Sequence, residues 1–213
     1  MAGYFITFEG SEGCGKSTQI ARLKTRLEAK GRRVVSVREP GGTALGEKVR
    51  SLLQFDAAGQ GMAPEAELML FAASRAQLVR EIIGPALREG AVVIADRFLD
   101  STVVYQGMAR KLGREVAEAV NALAVGDCLP DRTFLLDMEA AVATERARKV
   151  SEAAGVSDRM ERENDEFFAL VRRGFLDLAE EAPERFRVID ASQSVDEVSQ
   201  AIWAILQEDG IHT

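Results

Sequence analysis

Short apolar runs alternate with amphipathic stretches along the whole chain. Tyr4 to Phe8 reads as a buried strand. Lys16 to Lys30 reads as a helix, with Ile20, Leu23 and Leu27 at helical spacing and Gly31 as its stop. Val34, Val35 and Val37 mark a second strand, and Ala44 to Leu53 a short helix that runs into turns around Gly59-Gln60-Gly61. A longer helix begins near Pro64 and sets Leu68, Phe71, Arg75, Leu78 and Ile82 near one stripe; Gly84-Pro85 is expected to bend or break it. Ala91 to Ala95 is the third and most apolar strand, Thr133 to Leu136 the fourth and Phe186 to Ile189 the fifth. Helices over Arg114 to Val125, Glu139 to Val150, Asn164 to Glu181 and Val195 to Gln207 fill the gaps.

Strands that are apolar throughout, separated by helices, predict a parallel sheet covered on both faces. The expectation is a three-layer α/β fold with a five-stranded parallel sheet, in one domain spanning residues 1–213. Ligands in such sheets gather beyond the carboxyl ends of the strands. Those ends carry Glu9-Gly10, Arg38-Glu39, Asp96-Arg97 and Asp137, so polar residues collect along one edge.

Gly10-Ser11-Glu12-Gly13-Cys14-Gly15-Lys16-Ser17 has the spacing G-x-x-x-x-G-K-[ST] and lies between a predicted strand and a predicted helix. Glycines let successive backbone N–H groups turn toward phosphate oxygens, and the helix N-terminus adds partial positive charge. Lys16 is suited to the β- and γ-phosphates of a nucleotide and Ser17 to Mg²⁺. A Gly-rich turn with a surface lysine is the plainer alternative. Cys14 reads as a small packing residue. No Asn-Lys-x-Asp base-reading motif is present, as a GTP switch would need, yet the loop by itself leaves the phosphate acceptor open.

Four further clusters bear on the acceptor. Arg38-Glu39-Pro40-Gly41-Gly42-Thr43 forms a rigid, charged loop at a strand end, or a simple turn. Phe71 and Arg75 share a helix face and could stack on and read a base; a core Phe beside a surface Arg is the alternative. Asp96-Arg97-Phe98, with Ser101-Thr102 and Tyr105-Gln106, could hold Mg²⁺ and a phosphoryl group, or be a buried ion pair. Arg146, Arg148, Lys149 and Arg159 read as a lid over 146–160 that closes on a triphosphate, or as a solvated face paired with Glu145, Glu152, Asp158 and Glu161.

Composition narrows the partners. The 213 residues are 46% hydrophobic and 29% charged, in the range of ordinary globular enzymes. The net charge of -7 argues against a protein that tracks nucleic acid. Two cysteines make no disulfide framework, and the single His212 lies in the tail, so imidazole catalysis is not expected. No stretch has the ~20 apolar residues of a membrane span and no signal peptide is evident, so the cytoplasm is the expected compartment.

Together these residues resemble the thymidylate kinase family, of bacterial type. Phe8-Glu9-Gly10 leading into the phosphate loop, Arg38 to Thr43, Asp96-Arg97-Phe98, Ser101-Thr102, Tyr105-Gln106-Gly107, the Arg146/Arg148 lid, Asp158-Arg159 and Asp190-Ala191-Ser192 follow in family order. The resemblance implies a P-loop kinase fold with a small helical lid. It implies transfer of the γ-phosphoryl group of ATP to dTMP, giving dTDP and ADP on the way to dTTP. By the same resemblance, Gly10 to Thr18 and Arg146 bind ATP, and Ser17 and Asp96 serve Mg²⁺. Glu12 contacts the 3′-hydroxyl of the acceptor, Phe71 stacks on thymine, Arg75 and Thr102 read the base edge, and Arg97 grips the monophosphate. Tyr105 crowds the 2′ position, and Arg38, Glu39, Pro40, Ser101 and Gln106 complete the acceptor site. Some relatives carry a catalytic Arg inside the loop where this chain has Gly13, so Arg146, Arg148 and Arg159 are expected to supply that charge. Phe98 stands where Tyr or His is common, and Lys149-Val150 where another Arg often lies. A homodimer is implied by the family alone.

Overall fold

The computed structural model describes residues 3–154 and 163–211. Among these, β1 (Tyr4–Glu9), β2 (Val34–Arg38), β3 (Val92–Asp96), β4 (Arg132–Asp137) and β5 (Phe186–Asp190) form one all-parallel sheet in the order β2-β3-β1-β4-β5. The central β1 pairs with β3 in the register Phe8↔Asp96 and with β4 in the register Phe8↔Phe134. Strand order reverses around β1, which sets the loop after it in the crevice that α/β sheets use for ligands.

The alternation of side chains sorts the core into two layers. Ile6, Phe8, Val92, Ile94, Phe134 and Leu136 face α1 (Lys16–Ala29) and α9 (Val195–Glu208), where Leu23, Leu27, Ile202 and Leu206 meet them. Phe5, Val93 and Ala95 face the opposite way, with Leu78 and Ile83 packed on them. Leu135 and Phe186 meet Phe168, Val171 and Phe175 of α8 (Asp165–Glu181). Both sheet faces are thus buried, which is why the strands read as unbroken apolar runs.

The helices between are α2 (Ala44–Gln54), α3 (Pro64–Leu78), α4 (Gly84–Arg88), α5 (Leu99–Thr102), α6 (Arg114–Val125) and α7 (Ala140–Ala154). Local chemistry sets their starts. Thr43 caps α2 by accepting from the Gly46 N–H at 2.9 Å, and Asn164 caps α8 by accepting from the Phe167 N–H. Ser194 and Glu197 form a reciprocal capping box on α9.

Gly84-Pro85 does not break the long helix. A π-turn over Val79–Ile83 joins α3 to α4, and the Gly84 N–H bonds to the Val79 carbonyl. Pro85 has no N–H to give and crowds the carbonyl one turn back. Widening the preceding turn relieves that crowding, so the helix continues. A second π-segment, Val103–Ala109, extends α5; the sequence pattern gave no element there.

Candidate active site

The loop after β1 leads into α1 without a side-chain cap. Gly15, the residue before the helix, sits at φ 93°, in the left-handed region. Gly15 offers the first N–H groups of α1 no capping side chain, which suits an anion-binding helix start. Lys16 is buried beneath the loop. Its Nζ donates to the Ser11 carbonyl at 2.8 Å and the Gly10 carbonyl at 3.1 Å, and lies 4.0 Å from Glu12. Cys14 is a core residue. Ser17 Oγ donates to Asp96 Oδ2 at 3.1 Å, which joins the head of α1 to the end of β3. A hydroxyl and a carboxylate oxygen so placed are hard donors suited to Mg²⁺, which takes few protein ligands when phosphates supply the rest. Among the described residues no cluster of three or more acidic, His or Cys side chains forms a metal cage.

Arg97 follows β3 with φ 67°, a left-handed conformation that costs a non-glycine residue roughly 1–2 kcal/mol. Its contacts hold it there. Nη2 donates to Glu12 Oε1 at 2.8 Å and to the Tyr105 hydroxyl at 3.2 Å, and Nη1 donates to Ser101 Oγ at 3.1 Å. Burial presses the Glu12 carboxyl upward, but Arg97 and Lys16 outweigh it and hold Glu12 down at about 2. Behind Arg97 lies Glu9, fully buried. It accepts from the Phe98 N–H at 2.8 Å and the Ser101 hydroxyl at 2.6 Å. Burial raises Glu9 to about 7, with Asp100 adding to the rise and Arg97 opposing it.

Beside the loop opens a cleft of about 280 Å³. Glu12, Arg38, Glu39, Pro40, Phe71, Arg75, Arg97, Ser101, Thr102, Tyr105 and Gln106 all line it, together with Ser17 and Asp96. Residues that resemblance alone grouped are therefore neighbours in space. Phe71 and Arg75 do not match the plainer alternative of a core Phe beside a surface Arg. Phe71 is half-buried on the cleft wall, whereas Arg75 is sealed. The Arg75 guanidinium donates to Glu39 at 2.7 Å, to Asn121 Oδ1 at 2.5 Å and to the Phe98 carbonyl at 3.2 Å. Phe98 is a core ring, edge-on to Phe5 with centroids 4.9 Å apart, and Arg75 lies over it.

Among the described residues, three buried polar atoms have no hydrogen-bond partner: Glu39 Oε1, Thr102 Oγ1 and Gln54 Oε1. All belong to residues bordering the cleft. Unmet polar atoms are rare in interiors, and a polar ligand in the cleft would satisfy them. Gln54, Arg50 and Phe168 line the cleft although the sequence pattern gave no sign of it. Arg50 and Gln54 sit on α2, whose periodicity reports only its core face, and Phe168 comes from α8, far along the chain from the other lining residues.

The cations expected to form a lid do not line the cleft, though Arg146 adjoins the phosphate loop, its Cβ 3.1 Å from where a Cβ on Gly13 would stand. Arg146, Arg148 and Lys149 are exposed on α7, and Arg148 is paired with Glu145 at 2.6 Å. Arg159, Asp158 and the rest of 155–162 fall outside the described residues. The base of α7 does reach the loop: a Cβ on Gly13 would lie 2.2 Å from the Ala143 carbonyl oxygen.

Residues 8–202 match the family model described as thymidylate kinase. A thymidylate kinase of Bifidobacterium longum is 49% identical over 211 residues, with 98% of each chain covered. One from Geobacter sulfurreducens is 50% identical over 206 residues, with 96% of each covered. The crystal structure of a thymidylate kinase from Ehrlichia chaffeensis superposes with a TM-score of 0.77 at 35% identity, covering 97% of this chain and 99% of that one.

Proposed function

Because the chain belongs to the thymidylate kinase family, a family of ATP-dependent phosphotransferases that form dTDP from dTMP, we propose the following division of labour among its residues. The observation that carries it is the meeting of the phosphate loop and the cleft at one corner, through the Ser17–Asp96 and Glu12–Arg97 contacts. Two nucleotides bound on either side of that corner meet phosphate to phosphate.

On the donor side, N–H groups from Gly10 to Thr18 cradle the ATP phosphates, and Lys16 exchanges its carbonyl partners for phosphate oxygens. On the acceptor side, Phe71 stacks on thymine, Thr102 and Gln106 face its edge, and Arg75 backs the wall through Glu39. Arg97 and Arg38 take the monophosphate, Glu12 meets the 3′-hydroxyl, and Tyr105 crowds the 2′ position. Ser17 and Asp96 hold Mg²⁺, which when bound neutralises phosphate charge. The acceptor oxygen is already ionised near neutral pH, so transfer is in-line and needs no strong general base. The work of the protein is positioning and charge cancellation. Residues 146–160 act as a lid: Arg146, Arg148 and Arg159 close over the transferring group and keep water from it.

The chain pairs with a second copy. α3 packs between α2 and α6, and their outer sides expose Leu45, Met69 and Leu123, the last two 64% and 84% accessible. No helix among the described residues is long and apolar enough to cross a membrane. With two free thiols and nucleotide substrates, the cytoplasm is its compartment, and neither nucleic acid nor membrane is a partner.

A coupled assay of ADP release tests this reading with dTMP, thymidine, dUMP, CMP and AMP as acceptors. Preferred turnover of dTMP is expected, with Lys16→Ala lowering kcat by on the order of a hundredfold or more. ADP release indifferent to dTMP would reject the reading.

A further inference from the structure

Gln106 borders the cleft with an amide that donates at one end and accepts at the other, and its neighbours decide which end points where. Glu67 makes that decision. Gln106 Nε2 donates to Glu67 Oε1 at 2.8 Å, and the two residues are 2% and 1% exposed. A carboxylate only accepts, so a flipped amide would set oxygen against oxygen in a dry interior. Arg110 pairs with Glu67: its Nε donates to the same Oε1 at 3.3 Å. Arg110 is itself anchored to Glu163 at 2.7 Å and lies over the Phe167 ring. Glu67 stands four residues before Phe71, so one face of α3 presents both the aromatic plane and the group behind the edge-reader.

We propose that Glu67 is a positioning residue for base specificity, fixing the Gln106 amide so that its carbonyl oxygen faces the cleft and demands a donor from the base. Nothing in the sequence pattern singles out Glu67, which reads as an ordinary acid in the first turn of a helix. The chemistry selected is an imide. Thymine and uracil carry an N3–H that this oxygen accepts; cytosine brings a bare N3 whose lone pair faces another. The inference rests on the reading of the cleft as the seat of the acceptor base.

The test compares kcat/KM for dTMP and dCMP in the full chain. In Glu67→Met the carboxylate is gone and Arg110 is left to donate to the Gln106 oxygen, which turns the NH₂ toward the cleft. The dTMP-to-dCMP ratio falls at least about tenfold, chiefly through the KM for dTMP, while the KM for ATP stays within about twofold. Glu67→Gln still offers an oxygen to both Gln106 and Arg110 and keeps the ratio within about threefold of the parent. A folded Glu67→Met with the parental ratio overturns the proposal. Should that variant not fold, a crystal of the parent with dTMP decides. N3 within about 3.2 Å of Gln106 Oε1, with Nε2 still on Glu67, supports it; N3 held by another group overturns it. A parent chain that does not phosphorylate dTMP at all overturns the functional reading, and this inference with it.

Discussion

At the scale of single residues, Glu9 shows how burial and charge are balanced beside Arg97. Its carboxyl is raised to about 7 by burial, against an ordinary 4.5, so the folded state holds the proton more tightly than the unfolded chain. The stabilisation this linkage gives is complete below pH 4.5 and is lost as pH rises through 7. Glu9→Gln keeps an acceptor for the Phe98 N–H but does not titrate. Urea unfolding at pH 5 and pH 8 is expected to show the parent losing on the order of 2–3 kcal/mol more than the variant. Equal losses would mean that Glu9 ionises like an exposed carboxyl. The sequence could mark Glu9 as a strand end beside a phosphate loop, but not its role, because its partners lie 89 and 92 positions away. Arg75 is similar. Helical spacing paired it with Phe71, whereas its sealing depends on Glu39 and Asn121, 36 and 46 positions off.

At the scale of elements, the phosphate loop and α7 meet in a tight joint. Gly13 has φ +77°, and a Cβ there would meet the Ala143 oxygen at 2.2 Å and the Ala147 nitrogen at 2.8 Å, both backbone atoms. Gly13→Ala therefore has to push the first turns of α7 away. The expected result is a loss of about 2 kcal/mol, read as a fall in Tm of roughly 4–8 °C, with kcat reduced more than the affinity for dTMP is weakened. Parental Tm and kcat would mean that α7 yields freely. The same joint accounts for a loop without an internal arginine: this geometry has no room for any side chain at position 13. The sequence rendered the regular elements well, since caps and periodicity are local. α6 matches its expected span, Arg114 to Val125. The π-segment Val103–Ala109 escaped because its wider turns follow no 3.6-residue period. Those turns are what bring Tyr105 and Gln106, adjacent in sequence, both to the cleft.

At the scale of the whole molecule, the sheet was legible because strands buried on both sides leave continuous apolar runs, and the cleft because strand ends point to one edge. The proposed pairing face was not, since Leu45, Met69 and Leu123 are scattered over three helices. Leu123→Glu puts a charge on the most exposed of them. Sedimentation velocity is expected to find the parent at twice the chain mass and the variant at the mass of one chain; a parent that sediments as a single chain would reject the pairing. α3 has two working sides. Glu67 and Phe71 turn inward to the cleft, and Met69 turns outward to solvent. In the dimer we propose, a second copy clasping this helix from behind would transmit assembly to Phe71 across the helix diameter of roughly 10 Å. Dilution would then act as an inhibitor, and a compound wedged behind α3 could loosen the hold on nucleotide without ever entering the catalytic chamber.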